Sequence, residues 1–267
     1  MALHNGWCLA LVLGVAMPAI ASDKLPSDPA RDPVMVNGGF LEAHPDLRYR
    51  LLGLEKYKSG DHADAFKFFR RAGYYADKPS QGMVAEMLWN GQGVDRDPVQ
   101  AYIWMDLAAE RGYEGFLALR ERYWNQLDEA QRARAVEDGQ AVYAVYGDDA
   151  AKPRIATVLR RELRNMTGSR LGSTGNLKVL VPGPAGSMQE IDGSKFYDPR
   201  YWNPEQYQQW HDAIWSKPRV GKVEVGELNQ VNDGGARSRV PRVEPRTDAE
   251  EPSVPETPAE DAGSGER

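Results

Sequence analysis

Three side chains recur at a fixed offset, and they restrict this chain to one kind of architecture. Ala65, Phe68 and Ala72 reappear as Ala101, Trp104 and Ala108, each shifted by 36 residues. An aromatic residue three positions after one alanine and four before the next puts all three on one face of a helix. The small residues let a neighbouring helix come close, and the ring fills the space beside them. A period of this length with helical spacing inside it predicts stacked helix pairs, not a sheet.

The punctuation between the helices agrees. Gly60 and Gly91 fall where a first helix must stop, because glycine accepts the left-handed conformation of a C-terminal cap. Asp97-Pro98 then offers a capping carboxylate and a first-turn proline with preset φ. Asp128 with Gln131 has the spacing of a capping box, Gly147 closes that helix, and Lys152-Pro153 opens another. Helices are therefore predicted near 46–58, 62–77, 80–89, 98–111, 114–125, 129–146 and 153–165. Paired in order they make three hairpins and a capping helix. The fold class is all-α: a short α-α repeat stack with an irregular C-terminal extension and a disordered tail.

From Asn90 to Gly112 the pattern becomes specific. Gly91-Gln92-Gly93-Val94 is followed by Asp97, Ala101, Trp104, Ala108-Ala109 and Gly112. This run resembles the signature of the Sel-one-like repeat family, relatives of the tetratricopeptide repeats, and every signature position is filled. An earlier copy keeps Tyr57, Gly60, Ala65, Phe68 and Ala72 but lacks the Gly-Val-Asp turn, so it is closer to a plain tetratricopeptide unit. The resemblance implies a scaffold that binds a peptide or another protein, often at the cell envelope, with these repeat residues setting helix packing. Tyr57, Tyr74, Tyr75, Trp89 and Tyr102 are the aromatics expected on the groove side of such a stack.

Composition divides the rest. Residues 1–21 read as a signal peptide: an apolar run from Trp7 to Ile20 ends in Ala19-Ile20-Ala21, a small-residue cleavage pattern that leaves Ser22 as the mature N-terminus. That predicts a periplasmic or secreted protein. Cleavage also removes Cys8, the single cysteine, and with it any disulfide or thiolate chemistry. Residues 22–40 read as a Pro-containing linker, 41–165 as the helical repeat domain and 166–216 as a Gly/Pro/aromatic extension packing on it. Residues 217–267, rich in Pro, Glu, Arg and Gly, bury too little apolar surface to offset chain entropy and read as a disordered tail. The net charge of -6 argues against nucleic acid. No segment left after signal removal is apolar enough for a stable membrane span.

The search for reacting groups ends without a set. Thr167 to Asn176 is glycine-rich, but it lacks the Gly-Lys-Ser/Thr ending of a phosphate loop and reads as a turn. His44, His62 and His211 show no metal-ligand spacing, and each reads as an exposed side chain, so neither a metal nor a cofactor is expected. The carboxylates Asp106, Glu110, Glu114, Glu121, Asp128, Glu129, Glu137 and Asp138 interleave with Arg111, Arg120, Arg122, Arg132 and Arg134, as on a solvated face. The aromatics Phe196, Tyr197, Tyr201, Trp202, Tyr207, Trp210 and Trp215 either cap the helical domain or stack on sugars. A non-catalytic protein–protein scaffold or adaptor of the bacterial envelope is the reading these features favour. The alternative is a cell-wall protein that binds or processes glycan, with Trp202 and Trp210 against sugar rings and Glu205 or Asp212 as polar contacts.

Overall fold

In the computed structural model, the residues described are 29–37, 39–167, 177–182, 187–216 and 237–255. The expected signal peptide and the glycine-rich stretch 168–176 lie outside them. After a 3-10 turn at Pro29–Arg31 come α1 (Pro33–Asn37), a second 3-10 turn at Phe40–Glu42, α2 (Pro45–Lys58) and α3 (His62–Tyr74). The stack continues through α4 (Lys78–Asn90), α5 (Pro98–Ala108), α6 (Glu114–Gln126), α7 (Glu129–Tyr146) and α8 (Asp148–Thr167). The extension adds an antiparallel pair, β1 (Lys178–Pro182) and β2 (Met188–Asp192), then α9 (Gly193–Phe196), α10 (Pro199–Trp202) and α11 (Pro204–Trp215). The all-α reading holds, with this small hairpin as its one addition among the described residues.

The repeat positions are packed as their spacing requires. Ala65, Ala72, Ala101 and Ala108 are fully buried, and the Phe68 and Trp104 rings are buried beside them. Helix α2 packs on α3 and α4 on α5, and α3 against α4 joins the two hairpins. The helix starts are set by Asp61, Asp77 and Asp97, whose carboxylates accept first-turn N–H groups. Gly91 sits at φ 68 and Gly93 at φ 72, so the turn between α4 and α5 is left-handed at both glycines. A Cβ on Gly93 would lie 2.2 Å from the His62 carbonyl carbon, so only glycine lets this turn rest on the start of α3.

Two readings of the helices are corrected. Helices α6 and α7 do not close a third hairpin; each packs chiefly on α5. The aromatic-then-alanine set that would let them close on one another is missing from α7, and Tyr146 instead sets its ring 4.6 Å from Trp104. Helix α8 starts at Asp148, five residues before Pro153, because Ala150 and Ala151 already donate to the Gly147 carbonyl. Pro153 therefore lies inside the helix, where it has no N–H to give the Asp149 carbonyl.

A second core lies at the other end of the stack. Ala30, Met35, Phe40, Ala43 and Leu47 meet Ile155 and Leu159 of α8 and Val181, Ile191, Phe196, Tyr201, Trp202, Tyr207 and Trp210 of the extension. Residues 29–40 are therefore not a plain linker, since Ala30, Met35 and Phe40 are core. The Phe40 ring is the hub, stacked 3.9 Å from His44 and edge-on to Phe196, Tyr201 and Trp202. Trp202 Nε1 donates to the Phe196 carbonyl at 2.7 Å.

Candidate protein-binding surface

Residues 237–255 cross the helical domain as an extended strap. Composition assigns them to a disordered tail, yet they are held at points on α3, α5, α6, α7 and α8. At the first end, the Ser238 hydroxyl donates to the Asp106 carboxylate. Arg239 makes a two-pronged pair with Glu121 at 2.9 and 2.7 Å, and its guanidinium lies 4.6 Å from the Trp124 ring centre. Val240 is buried over Gly139 of α7. In the middle, the Arg246 N–H donates to the Ala144 carbonyl at 2.6 Å, a last-turn carbonyl of α7 that has no partner within its helix. The Arg246 carbonyl accepts from Arg154 at 2.5 Å. At the far end, Tyr74 donates to the Ala249 carbonyl at 2.5 Å, and Glu251 accepts from Arg71 at 2.5 Å and from Tyr75 at 2.8 Å.

Of the residues that make this surface, Asp106, Arg120 and Glu121 read in sequence as part of a solvated face. Asp106 and Arg120 are in fact buried, 3.5 Å apart. Burial pushes the Asp106 carboxyl up, opposed by the Ser238 hydroxyl and the Arg120 charge. Burial also pushes Glu121 up, but the Arg239 and Arg120 guanidiniums outweigh it and hold that carboxyl below the ordinary range. The Tyr143 hydroxyl donates to Asp106 at 3.0 Å. A buried carboxylate with three donors is costly to leave unpaired, so lifting the strap leaves Asp106 short of one.

The five aromatics proposed for a groove divide into two groups. Tyr74, Tyr75 and Tyr102 reach the strap: the first two through the bonds just given, and Tyr102 through its hydroxyl, 3.5 Å from Arg239. Tyr57 and Trp89 do not. Tyr57 donates to Gln92 at 3.1 Å and packs on His62, while Trp89 stacks on Tyr123 at 4.1 Å and carries Arg96. Sequence reasoning missed Arg71 and Arg154 as contact residues. The signal in the sequence that could mark them is the tail's mix of arginines and acidic residues, which reads there as disorder.

The histidines are also corrected. His44 and His211 are buried, not exposed. His44 places its two nitrogens 2.6 Å from the Phe40 carbonyl and 2.9 Å from the Tyr201 carbonyl, and burial pushes it down to about 4. His211 of α11 lies 3.7 Å from Asp46 of α2. Asp46 accepts from Tyr207 at 2.7 Å, and its second oxygen has no partner. Burial, then the charge of Asp77, pushes Asp46 up to about 7. Asp46, Asp77 and His211 bring ligand atoms within 4.8 Å of one another. The Arg50 guanidinium, 3.0 Å from Asp77, already supplies the positive charge there and opposes a second cation. Beside this cluster, buried Lys78 binds Glu110 at 2.6 Å and Asp148 at 3.1 Å, and Arg111 pairs with Asp148 at 2.8 Å.

The two rings named for sugar stacking, Trp202 and Trp210, are not on a surface, while Tyr197 and Trp215 are partly exposed. Tyr201, Trp202, Tyr207 and Trp210 are buried in the second core, and Trp215 is stacked 6.4 Å from Phe116. Among the described residues, no helix is long and apolar enough to cross a membrane.

Comparison of the chain with curated proteins finds no match, nor does comparison with solved structures. A family model does match: residues 79–113, which run from the start of α4 to the turn after α5, match the Sel1 repeat.

Proposed function

We propose that this protein is a non-catalytic interaction scaffold of the bacterial cell envelope, exported and then processed after Ala21. Sel1 repeats mediate protein–protein interaction, and the repeat at 79–113 supplies α4 and α5, the centre of the stack. The observation that carries the reading is the strap. This stack already holds an extended stretch of polypeptide, with side chains aimed at both its carbonyls and its side chains. A surface able to do that for residues 237–255 is suited to a segment of another protein. The buried imidazoles are packed among rings, and Asp77, Asp106 and Asp148 are tied up in ion pairs, which supports binding over catalysis.

Export rests on the Ala19-Ile20-Ala21 pattern after an apolar run. Fractionation of cells expressing an epitope-tagged chain, with N-terminal sequencing, is expected to recover a periplasmic or secreted protein beginning at Ser22. Recovery of the intact chain from the cytosol overturns the export reading. For the scaffold, crosslinking in the envelope followed by reciprocal capture is expected to return a defined partner. Its contact should map to α3 and α5–α8. Turnover of an envelope substrate by the purified chain would end the non-catalytic reading.

A further inference from the structure

We propose that residues 237–255 are a resident ligand, occupying in the same chain the surface on which an extended segment of a partner protein binds. The partner segment carries an arginine followed by a small aliphatic residue, and an acidic residue about a dozen positions further on. The inference rests on the scaffold reading and makes it specific.

The surface is built as a receptor for a chain, with subsites at matched spacing. Arg239 and Glu251 lie twelve positions apart. The first meets an acidic site, Glu121 with Asp106 beneath it, and the second meets a basic one, Arg71 beside Tyr75. Between them the contacts are to backbone. Arg154 and Ala144 take the Arg246 carbonyl and N–H, and Tyr74 takes the Ala249 carbonyl. Backbone contacts give affinity without regard to sequence, while the end sites read charge. The notch for the aliphatic residue is Gly139, in the interior of α7. Glycine is unfavourable to a helix, yet a Cβ here would lie 2.7 Å from a Val240 methyl. The missing side chain makes room for the strap.

The strap is also suited to leaving. Val240 and Ala249 are its only buried apolar residues, and the Arg239–Glu121 and Arg71–Glu251 pairs keep 20 to 33% of their side-chain surface in water. Such pairs hold weakly one by one. Joined to α11 through residues 217–236, the strap meets its surface as an intramolecular partner at an effective concentration of about a millimolar. A segment with a dissociation constant of roughly 10 µM is then seated about 99% of the time. A partner has to outcompete it, which makes the strap an occupancy gate.

The test uses the full chain and a fluorescent peptide of residues 237–255, read by anisotropy. The variant R239E/V240D loosens the strap and leaves the receiving surface unchanged. It is expected to bind the peptide at least tenfold more tightly than the wild type does. Adding G139L fills the notch with a good helix former and is expected to abolish that gain. A peptide carrying R239E is expected to bind at least tenfold more weakly. Equal binding by the wild type and the loosened variant overturns the proposal. So does no binding by a loosened variant with unchanged circular dichroism, or binding indifferent to G139L. If the double variant does not fold, R239E alone is measured against the same criteria. Peptide exchange can succeed with no envelope partner found, so failure here and failure of the scaffold reading are separate results.

Discussion

Asp46→Asn should make the protein more stable at pH 8, by an amount that grows as pH rises. Asp46 is buried between α2 and α11 with one oxygen bonded to Tyr207 and the other bare. The Arg50 guanidinium, which opposes the shift of Asp46, is engaged by Asp77. Two carboxylates thus compete for one positive charge, and burial together with Asp77 pushes Asp46 up to about 7 from an ordinary 3.8. Because the folded-state value is the higher one, the folded protein binds the extra proton between about pH 4 and pH 7. Stability therefore falls as pH rises through that window and levels off above it. At about 1.4 kcal/mol per pH unit, the penalty is about 1–2 kcal/mol at pH 5 and about 4 kcal/mol at pH 8. Asparagine keeps an acceptor for Tyr207 and carries no charge.

The difference between variant and wild type is the quantity to measure. The buried histidines act in the opposite sense. With His44 pushed down to about 4, folding excludes a proton there, and stability rises with pH up to the ordinary histidine value of 6.5. His211, pushed down by burial, adds to that slope. Both remain in the variant: His44 cancels in the difference, while His211, 3.7 Å from Asp46, loses a neighbouring carboxyl and is held neutral still more firmly. Urea melts at pH 5 and pH 8 should show the advantage of Asp46→Asn growing by up to about 3 kcal/mol. In thermal melts that is roughly 6–12 °C for a domain of this size. An advantage that stays flat or shrinks between the two pH values refutes the reasoning, because Asp46 would then ionise as an ordinary carboxyl does.

Trp104→Ala is expected to cost about 3–5 kcal/mol, since it empties a ring-sized space between α5 and α7; chemical denaturation checks this. Lys78→Met leaves Glu110 and Asp148 without their buried ammonium and is expected to cost about 3–5 kcal/mol. Its melting temperature should fall well below that of Lys67→Met, whose pair with Asp64 is exposed on one side. Asp97→Ala removes the cap that accepts from the Val99 and Gln100 N–H groups and is expected to cost about 1 kcal/mol, read from the same melts.

What sequence could show depended on range. The α2–α3 and α4–α5 hairpins were legible because their determinants are local: an alanine–aromatic–alanine face, an aspartate at the start, a glycine at the stop. Helix α8 was misjudged at its start because Pro153 is a strong local signal, and the Gly147 carbonyl that starts the helix earlier is a weak one. The second core was illegible for another reason. Phe40, Ile155 and Trp202 lie more than forty residues apart in the chain, and no periodicity connects them. Asp46, Asp77 and His211 come together by the same kind of long-range closure, so His211 by itself reads as an exposed side chain.

The strap shows where a composition argument stops. Hydropathy and charge decide whether a segment can bury enough of itself to fold alone, and residues 237–255 fail that test. Binding asks a different question, namely whether a folded surface already holds the groups the segment needs. Here the apolar and entropic demands are met by the helices: Gly139 gives the notch, Tyr74 and Arg154 take carbonyls, and Glu121 and Arg71 wait at the two ends. The segment has only to present an arginine, a valine, a backbone and a glutamate in extended order. A tail that looks featureless by itself can therefore be specific in the presence of its own domain. The same economy (few apolar residues, charges at the ends) is what makes it exchangeable for a segment of similar chemistry from another chain.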